Sequence, residues 1–369
     1  MLERCIGDVE RFRDLNWGRA PLHIRTDDCL PDIFGLDDVD ELIASAARRP
    51  EARLVRNGNT VDPAEYTTTL RLGGRTVSDV IDPAKVADRL VSGDSVVLQS
   101  VHRTSRPVSR FASALEGELG HPVQVNAYLT PPGAVGLAPH VDEHDVIVRQ
   151  LHGTKAWHVV GLGDIELGPG DGIYMPAGTR HHAAAQDQMS LHLTIGILAI
   201  TYRAVVNRVL ARAGGDLDRP LPVGWNHDPQ VRLDDHLALA LDEAQKVLAD
   251  ADPIAIARTE RGRRRPRRDD DGRVSSVVRR ADLDADTVVQ LARTETPRLE
   301  ALEDGFMRLH LSDRQLRLPD TTRPALEQLL LGRRVRVGEL PGLDASSQCV
   351  VARRLVIEGM LRIVPETTR

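Results

Sequence analysis

The chain has 369 residues, 41% hydrophobic and 28% charged, with 48 basic against 54 acidic side chains and a formal net charge of −6. That length allows two or three domains, at roughly 100–200 residues each, and the charge balance excludes a chain-wide field that would draw it to nucleic acid or an anionic membrane. No apolar run is long enough to span a bilayer, and Cys5, Cys29 and Cys349, far apart and without a C-x-x-C pair, exclude a disulfide scaffold or a zinc finger.

The first residues, MLERCIGDVE, mix both charge signs and lack the apolar stretch of a signal peptide, so a cytoplasmic protein with reduced thiols is expected. Residues 4–16 and 38–49 are predicted helices; in the second, Val39, Leu42, Ile43 and Ala46 recur at helical spacing. Helix, strand and helix follow at 83–90, 95–101 and 107–119. From 123 the pattern becomes β-rich, with short strands at 123–129, 146–151, 156–160, 173–175 and 190–200. Turn residues punctuate them, notably Pro131-Pro132-Gly133, Gly161 to Asp164 and Gly168 to Gly172. Many short strands at this spacing predict a sandwich or barrel. The glycines at 168–172 precede a strand, not a helix, so they form a turn and not a phosphate cradle.

Past 200 the β signal stops. Residues 203–250 have helical periodicity in Leu237, Leu241, Ala244 and Leu248. The block RGRRRPRRDDDG at 261–272 has no apolar content and is predicted to be an exposed charged loop or linker. Strands at 307–311 and 315–318, helices at 322–331 and 345–358 and a strand at 361–364 follow the order of a winged-helix module. The expected division is therefore 1–200, a β-rich catalytic domain with N-terminal helices; 201–260, helical; 261–275, charged linker; and 276–369, winged-helix-like.

Histidine is concentrated: of 13 in the chain, eight (121, 140, 144, 152, 158, 181, 182 and 192) lie in the β-rich block. Spacing says more than abundance. His140 and Asp142 stand at i and i+2, which on a strand puts both side chains on one face. A third imidazole, His181 or His182 after a Pro-x-Gly turn, would complete two histidines and one carboxylate. That set covers one face of an octahedral ion and leaves three positions open, the arrangement of non-haem Fe(II) oxygenases. No G-x-S-x-G or catalytic-cysteine signature is present, so no catalytic residue is expected beyond the metal site. Lysine is rare, at Lys85, Lys155 and Lys246 among 48 basic residues. Its use at 155 suggests a tight site that wants a compact ammonium.

The stretch from Asn126 to Ile197 resembles the JmjC-type 2-oxoglutarate oxygenases of the cupin superfamily, in their ribosomal-oxygenase branch. The matching elements are N-x-Y-L-T-P-P-G, A-P-H-x-D-x-x-D-V, Q-L-x-G-x-K-x-W, Y-x-P-x-G-x-x-H and S-L-H-L-T. The resemblance implies an α+β fold: a double-stranded β-helix (jelly-roll, cupin) catalytic domain, a helical dimerisation region and a C-terminal winged-helix domain. It implies Fe(II) held by His140, Asp142 and His181, with the P-x-G-x-x-H pattern selecting His181 over His182. It also implies 2-oxoglutarate as co-substrate, its distal carboxylate paired with Lys155, and Asn126, Tyr128 and Thr194 around it. His192, on one face with Ser190 and Thr194, is either a pocket residue or a satisfied core histidine. Arg149 departs from the family, which carries an apolar residue there.

His144, Asp145, His152 and His158 are expected to face solvent, His102 and His121 to be structural, and Trp157 to fill the core. The activity implied is hydroxylation of an arginine or histidine side chain of a ribosomal protein by a homodimer. The same chemistry on another protein or on a peptide natural-product precursor is one alternative. A ligand-sensing cupin with a DNA-binding winged helix is another. Against nucleic acid, the candidate recognition helix carries Glu358 beside Arg353 and Arg354 and offers no aromatic. Three Trp, four Tyr and four Phe in the whole chain leave little from which to build a methyl-lysine cage.

Overall fold

A computed structural model describes residues 1–45, 47–134, 138–185, 187–211, 214–221, 223, 225–227, 229–253, 256, 273–292, 297–311 and 314–364. The charged block at 261–272, Ala46 and the turn at 312–313 lie outside the described residues. Two compact units are present, one drawn from 1–199, 266–311 and 316–369, the other from 200–265 and 312–315.

The first 199 residues build two antiparallel sheets. The larger contains β1 (Leu22–Ile24), β2 (Ala52–Arg56), β3 (Asn59–Thr60), β6 (Ser95–Leu98), β7 (Val123–Thr130), β8 (Asp145–His152), β11 (Gly172–Met175) and β13 (Ser190–Ile197), in the order β1-β11-β8-β13-β7-β6-β2-β3. The smaller contains β9 (Lys155–Val159), β10 (Gly163–Leu167) and β12 (His181–Ala185), in the order β10-β9-β12. A separate hairpin pairs β4 (Thr67–Leu72) with β5 (Arg75–Ile81). The strand order is shuffled relative to the chain, and the two sheets form an antiparallel β-sandwich.

Alternation along the strands sorts the two faces of the large sheet. Val123, Val125, Ala127 and Leu129 of β7, with Leu191, Leu193, Ile195 and Ile197 of β13, join an apolar core with the helices. Those helices are α1 (Leu2–Ile6), α2 (Val9–Arg11), α3 (Leu36–Ala44), α4 (Pro83–Val91) and α5 (Arg106–Leu119). α5 buries Val108, Phe111, Ala112 and Leu115 at helical spacing and stops at Gly120, whose φ of 77° suits only glycine without strain. α4 starts where the Asp82 carboxylate accepts from the Ala84 and Lys85 amides, with Pro83 in the first turn. On the opposite face the same strands offer Gln124, Asn126, Tyr128, Thr130, His192 and Thr194 to a cavity. Between the sheets, Val146, Val148, Trp157, Val159, Leu167, Ile173 and Met175 form a second core.

Several predicted elements differ in extent. The first helix breaks at Gly7, restarts as α2 and runs into a wider turn at Phe12–Asn16, and the second ends at Ala44. The strands β1, β2, β3, β10 and β12 and the hairpin were not expected. Arg149 is fully buried on the helix side of β8, away from the cavity. Its guanidinium donates to the carbonyls of Arg4, Asp28 (2.6 Å) and Gly170 (2.8 Å), so a cation stands where an apolar residue would pack because three main-chain acceptors take its Nη1 and Nη2 groups.

Residues 200–265 contain the helices Tyr202–Leu210 and Pro229–Ala249. Beyond them, a helix at Arg273–Arg279 begins inside the stretch expected to be linker. β14 (Val288–Leu291) pairs with β18 (Val335–Arg336) and β19 (Leu361–Ile363). β15 (Arg298–Ala301), β16 (Phe306–His310) and β17 (Gln315–Pro319) form another sheet. With the helices Arg323–Leu330 and Ala345–Ile357 they enclose their own apolar core, Leu326, Leu329 and Leu355 among it. On the last helix Arg353 donates to the Leu283 carbonyl at 2.6 Å and Arg354 pairs with Glu358 at 2.7 Å. Among the described residues, no helix is long and apolar enough to cross a membrane.

Candidate metal centre

His140 does not lie on a regular strand, as its spacing from Asp142 suggested. It sits in an isolated antiparallel bridge with His181. The His140 amide donates to the His181 carbonyl (3.1 Å) and the His181 amide to the His140 carbonyl (3.0 Å). This bridge holds the two imidazoles side by side, ring centroids 4.4 Å apart. The Gly178 amide donates to the Asp142 carbonyl at 2.8 Å, which ties the acid to the turn that delivers His181.

Asp142 completes the group: its carboxylate oxygens stand 4.0 Å from His140 Nε2 and 3.6 Å from His181 Nε2. One ligand atom from each residue lies within 4.8 Å of the others. His140 Nδ1 faces the Ala138 carbonyl and His181 Nδ1 the Thr179 carbonyl, both at 2.9 Å. A carbonyl only accepts, so both Nδ1 atoms carry the proton and both Nε2 lone pairs point at Asp142. Burial lowers the His181 pKa, which favours the neutral ring that can ligate. Two imidazole nitrogens and one carboxylate suit a borderline divalent metal such as Fe(II), with positions left open.

Only one of the adjacent histidines joins. Alternation along β12 turns His181 inward and His182 out to solvent. The turn before them is held by Asp145, which accepts from Tyr174 Oη at 2.6 Å and from the Ala177 amide at 2.9 Å. Asp145 is therefore buried, against expectation, because two donors compensate its charge. His144 also differs from expectation: it lines the cavity, seated over Gly196, where an added Cβ would lie 2.4 Å from its Nε2. His152 and His158 are exposed as expected. His102 accepts from the Val125 amide at 3.0 Å, and His121 stacks on Trp17.

The cavity, about 240 Å³, runs from the metal end to a sealed end. There Lys155 is 3% exposed and donates from Nζ to Thr130 Oγ1 at 3.0 Å. Burial pulls its pKa down to about 7. His192 lies flat on Tyr128, centroids 4.9 Å apart, and edge-on to Trp157. Its buried Nδ1 has no partner, and burial, then the nearby Lys155, holds its pKa well below the usual range. Asn126, whose Oδ1 accepts from the Ser100 amide at 2.8 Å, and Thr194 also line the cavity. A buried ammonium beside an unpartnered buried nitrogen suits an anionic oxygen ligand.

Sequence reading did not single out Thr130, Gln124 or Arg53 as lining residues. For the first two the strand period was the available signal, since both share the face of Asn126 and Tyr128. Among the described lining residues Asp142 is the one carboxylate, against the cations Arg53 and Lys155.

Residues 99–163 and 161–205 match the JmjC domain family. Ribosomal oxygenase 1 of Gallus gallus is 32% identical over 213 residues, 50% of this chain and 34% of that protein. The bifunctional lysine-specific demethylase and histidyl-hydroxylase NO66 of Branchiostoma floridae is 41% identical over 117 residues, 31% of this chain and 19% of that protein. The alignments thus span about a third or less of these relatives' lengths. The solved structure of YcfD, a ribosomal oxygenase from Escherichia coli, in complex with cobalt and 2-oxoglutarate has the same fold. Its TM-score is 0.53 at 17% identity, covering 96% of this chain and 98% of that one.

Proposed function

The chain carries a JmjC domain similar to those of ribosomal oxygenases, and we propose that it is an Fe(II)- and 2-oxoglutarate-dependent protein hydroxylase. In this reading His140, Asp142 and His181 hold the metal. Lys155 takes the distal carboxylate of 2-oxoglutarate, with Thr130, Tyr128, His192, Asn126 and Thr194 around the co-substrate. When bound, the iron and 2-oxoglutarate would supply an oxidation by O2, one oxygen atom ending in succinate as the keto acid loses CO2 and the other on a substrate C–H bond. The protein's own share is orientation. The backbone bridge sets the ligand rings, Lys155 fixes the far end of the co-substrate, and the apolar walls of Val146, Val148 and Met175 keep water from the reacting carbon.

The observation that carries the reading is the ligand set with both Nδ1 protons tied to backbone carbonyls, facing a buried ammonium along one cavity. The substrate we propose is a histidine or arginine side chain of a ribosomal protein. The lining favours histidine, because a guanidinium would meet Arg53 while Asp142 is engaged by the metal. The helices between 201 and 260 are read as a dimerisation segment and 276–369 as a winged-helix domain that contacts protein. Incubation of the purified protein with Fe(II), 2-oxoglutarate and ribosomal proteins tests the function by mass spectrometry. A one-oxygen gain on a histidine, coupled to succinate formation, is expected; no gain on any ribosomal protein would refute the substrate assignment.

A further inference from the structure

The outer face of the small sheet carries a second set of imidazoles that the cavity does not use. Strand register places Asp164 of β10 opposite His158 of β9, and His158 opposite His182 of β12, in one row. The alternation that turns Lys155, Trp157 and His181 inward turns these three outward. His158 Nδ1 meets Asp164 Oδ1 at 2.6 Å. The carboxylate accepts, so the proton is on Nδ1 and the lone pair of His158 is on Nε2. The ring of His182 stacks beside it, centroids 5.3 Å apart at 27°. Both rings are exposed.

Directly opposed residues on antiparallel strands have Cβ atoms about 4.5–5.5 Å apart. Two imidazoles so placed can reach a common ion at the usual metal–nitrogen distance of about 2.0–2.1 Å. A carboxylate behind one ligating ring, fixing its tautomer and raising its basicity, is the usual support of such a ligand. Neither ring belongs to an apolar core, so packing gives the row no purpose. We infer that this face is a second metal site, in which His158 and His182 bind a borderline divalent cation of the Zn2+ class, with solvent in the remaining positions. Imidazole donors select such ions over Mg2+ or Ca2+. The site is separate from the cavity centre, although His182 adjoins His181 in the chain.

Equilibrium dialysis of the chelator-stripped full chain against Zn2+ alone, with elemental analysis of the protein, tests the inference. The unmodified chain should bind two equivalents. His158→Asn and His182→Asn should each lose the outer one and keep the inner, while His140→Ala should lose the inner and keep the outer. Asp164→Asn should weaken the outer site about tenfold. A single equivalent in the unmodified chain that His158→Asn and His182→Asn leave in place overturns the inference, whereas a single equivalent lost in those two variants keeps it and counts against the inner site. So does a second equivalent that survives the double variant His158→Asn/His182→Asn with its affinity unchanged.

Discussion

The two ends of the cavity are prepared for their ligands in different ways. At the metal end His140, Asp142 and His181 are 34%, 29% and 6% exposed in their side chains, and the main chain positions them through the backbone bridge and the two carbonyls at Nδ1. At the sealed end Lys155 and His192 are 3% and 4% exposed, and one hydroxyl and two aromatic rings surround them. The first end is pre-organised in geometry, with two of its three side chains partly exposed. The second is already desolvated, so its charge is suppressed until an anion restores it. Geometry errors should therefore be fatal at one end, and charge errors graded at the other.

Breaking the geometric end should have the largest effect. His140→Ala, Asp142→Ala and His181→Ala each remove one of three ligands, and succinate formation from 2-oxoglutarate should fall to background in all three. His182→Ala, on the outer face, should retain it. Turnover that survives in His140→Ala would falsify the ligand assignment.

The charged end should respond by degrees. A hydrogen bond to an ionic partner contributes about 1.5–3 kcal/mol, so Lys155→Ala should raise the 2-oxoglutarate Kd about 10- to 100-fold while the metal stays bound. The pH dependence has a definite sign. With a pKa of about 7 in the empty site, Lys155 carries its charge below pH 7. Above it, a proton must be taken up with the carboxylate, so affinity should fall as pH rises, toward about tenfold per pH unit. Calorimetry between pH 6 and 9 checks the slope, which should be absent in Lys155→Ala. A flat profile in the unmodified chain would contradict the desolvated ammonium.

The same division explains what the sequence made legible. The grouping of His140, Asp142 and His181 and the place of Lys155 in the cavity lining could be anticipated because motif spacing is local. The choice between His181 and His182 became geometric only once β12 existed as a strand, and its Ala-rich continuation gives no β signal of its own. Asp145 and Arg149 were hidden for a different reason. Their compensation comes from Tyr174 and Ala177, and from Arg4, Asp28 and Gly170, partners remote in sequence that no period encodes. The β4–β5 hairpin did leave a local trace: Gly73 and Gly74, with φ of 53° and 77°, are a two-glycine turn between a threonine-rich segment and one carrying Thr76, Val77, Val80 and Ile81.

Two smaller changes sharpen the contrast from within. His192→Phe keeps a ring against Tyr128 and removes the unpartnered Nδ1. If that nitrogen serves the co-substrate as a neutral hydrogen-bond partner, about 0.5–1.5 kcal/mol is lost and the 2-oxoglutarate Kd rises about 2- to 10-fold; an unchanged Kd would return His192 to the core. Gly196→Ala acts elsewhere along the lining. The new Cβ would stand 2.4 Å from His144 Nε2 and 3.1 Å from Gln124 Cγ, and both neighbours are side-chain atoms that can swing aside. Lys155 and Thr130 are not among the atoms it meets. The Kd for 2-oxoglutarate should therefore stay within about twofold, a change under 0.5 kcal/mol, while KM for a histidine-containing peptide shifts as His144 leaves its seat. An equal loss for both ligands would mean that the cavity responds as one body, and the distinction between its two ends would fail.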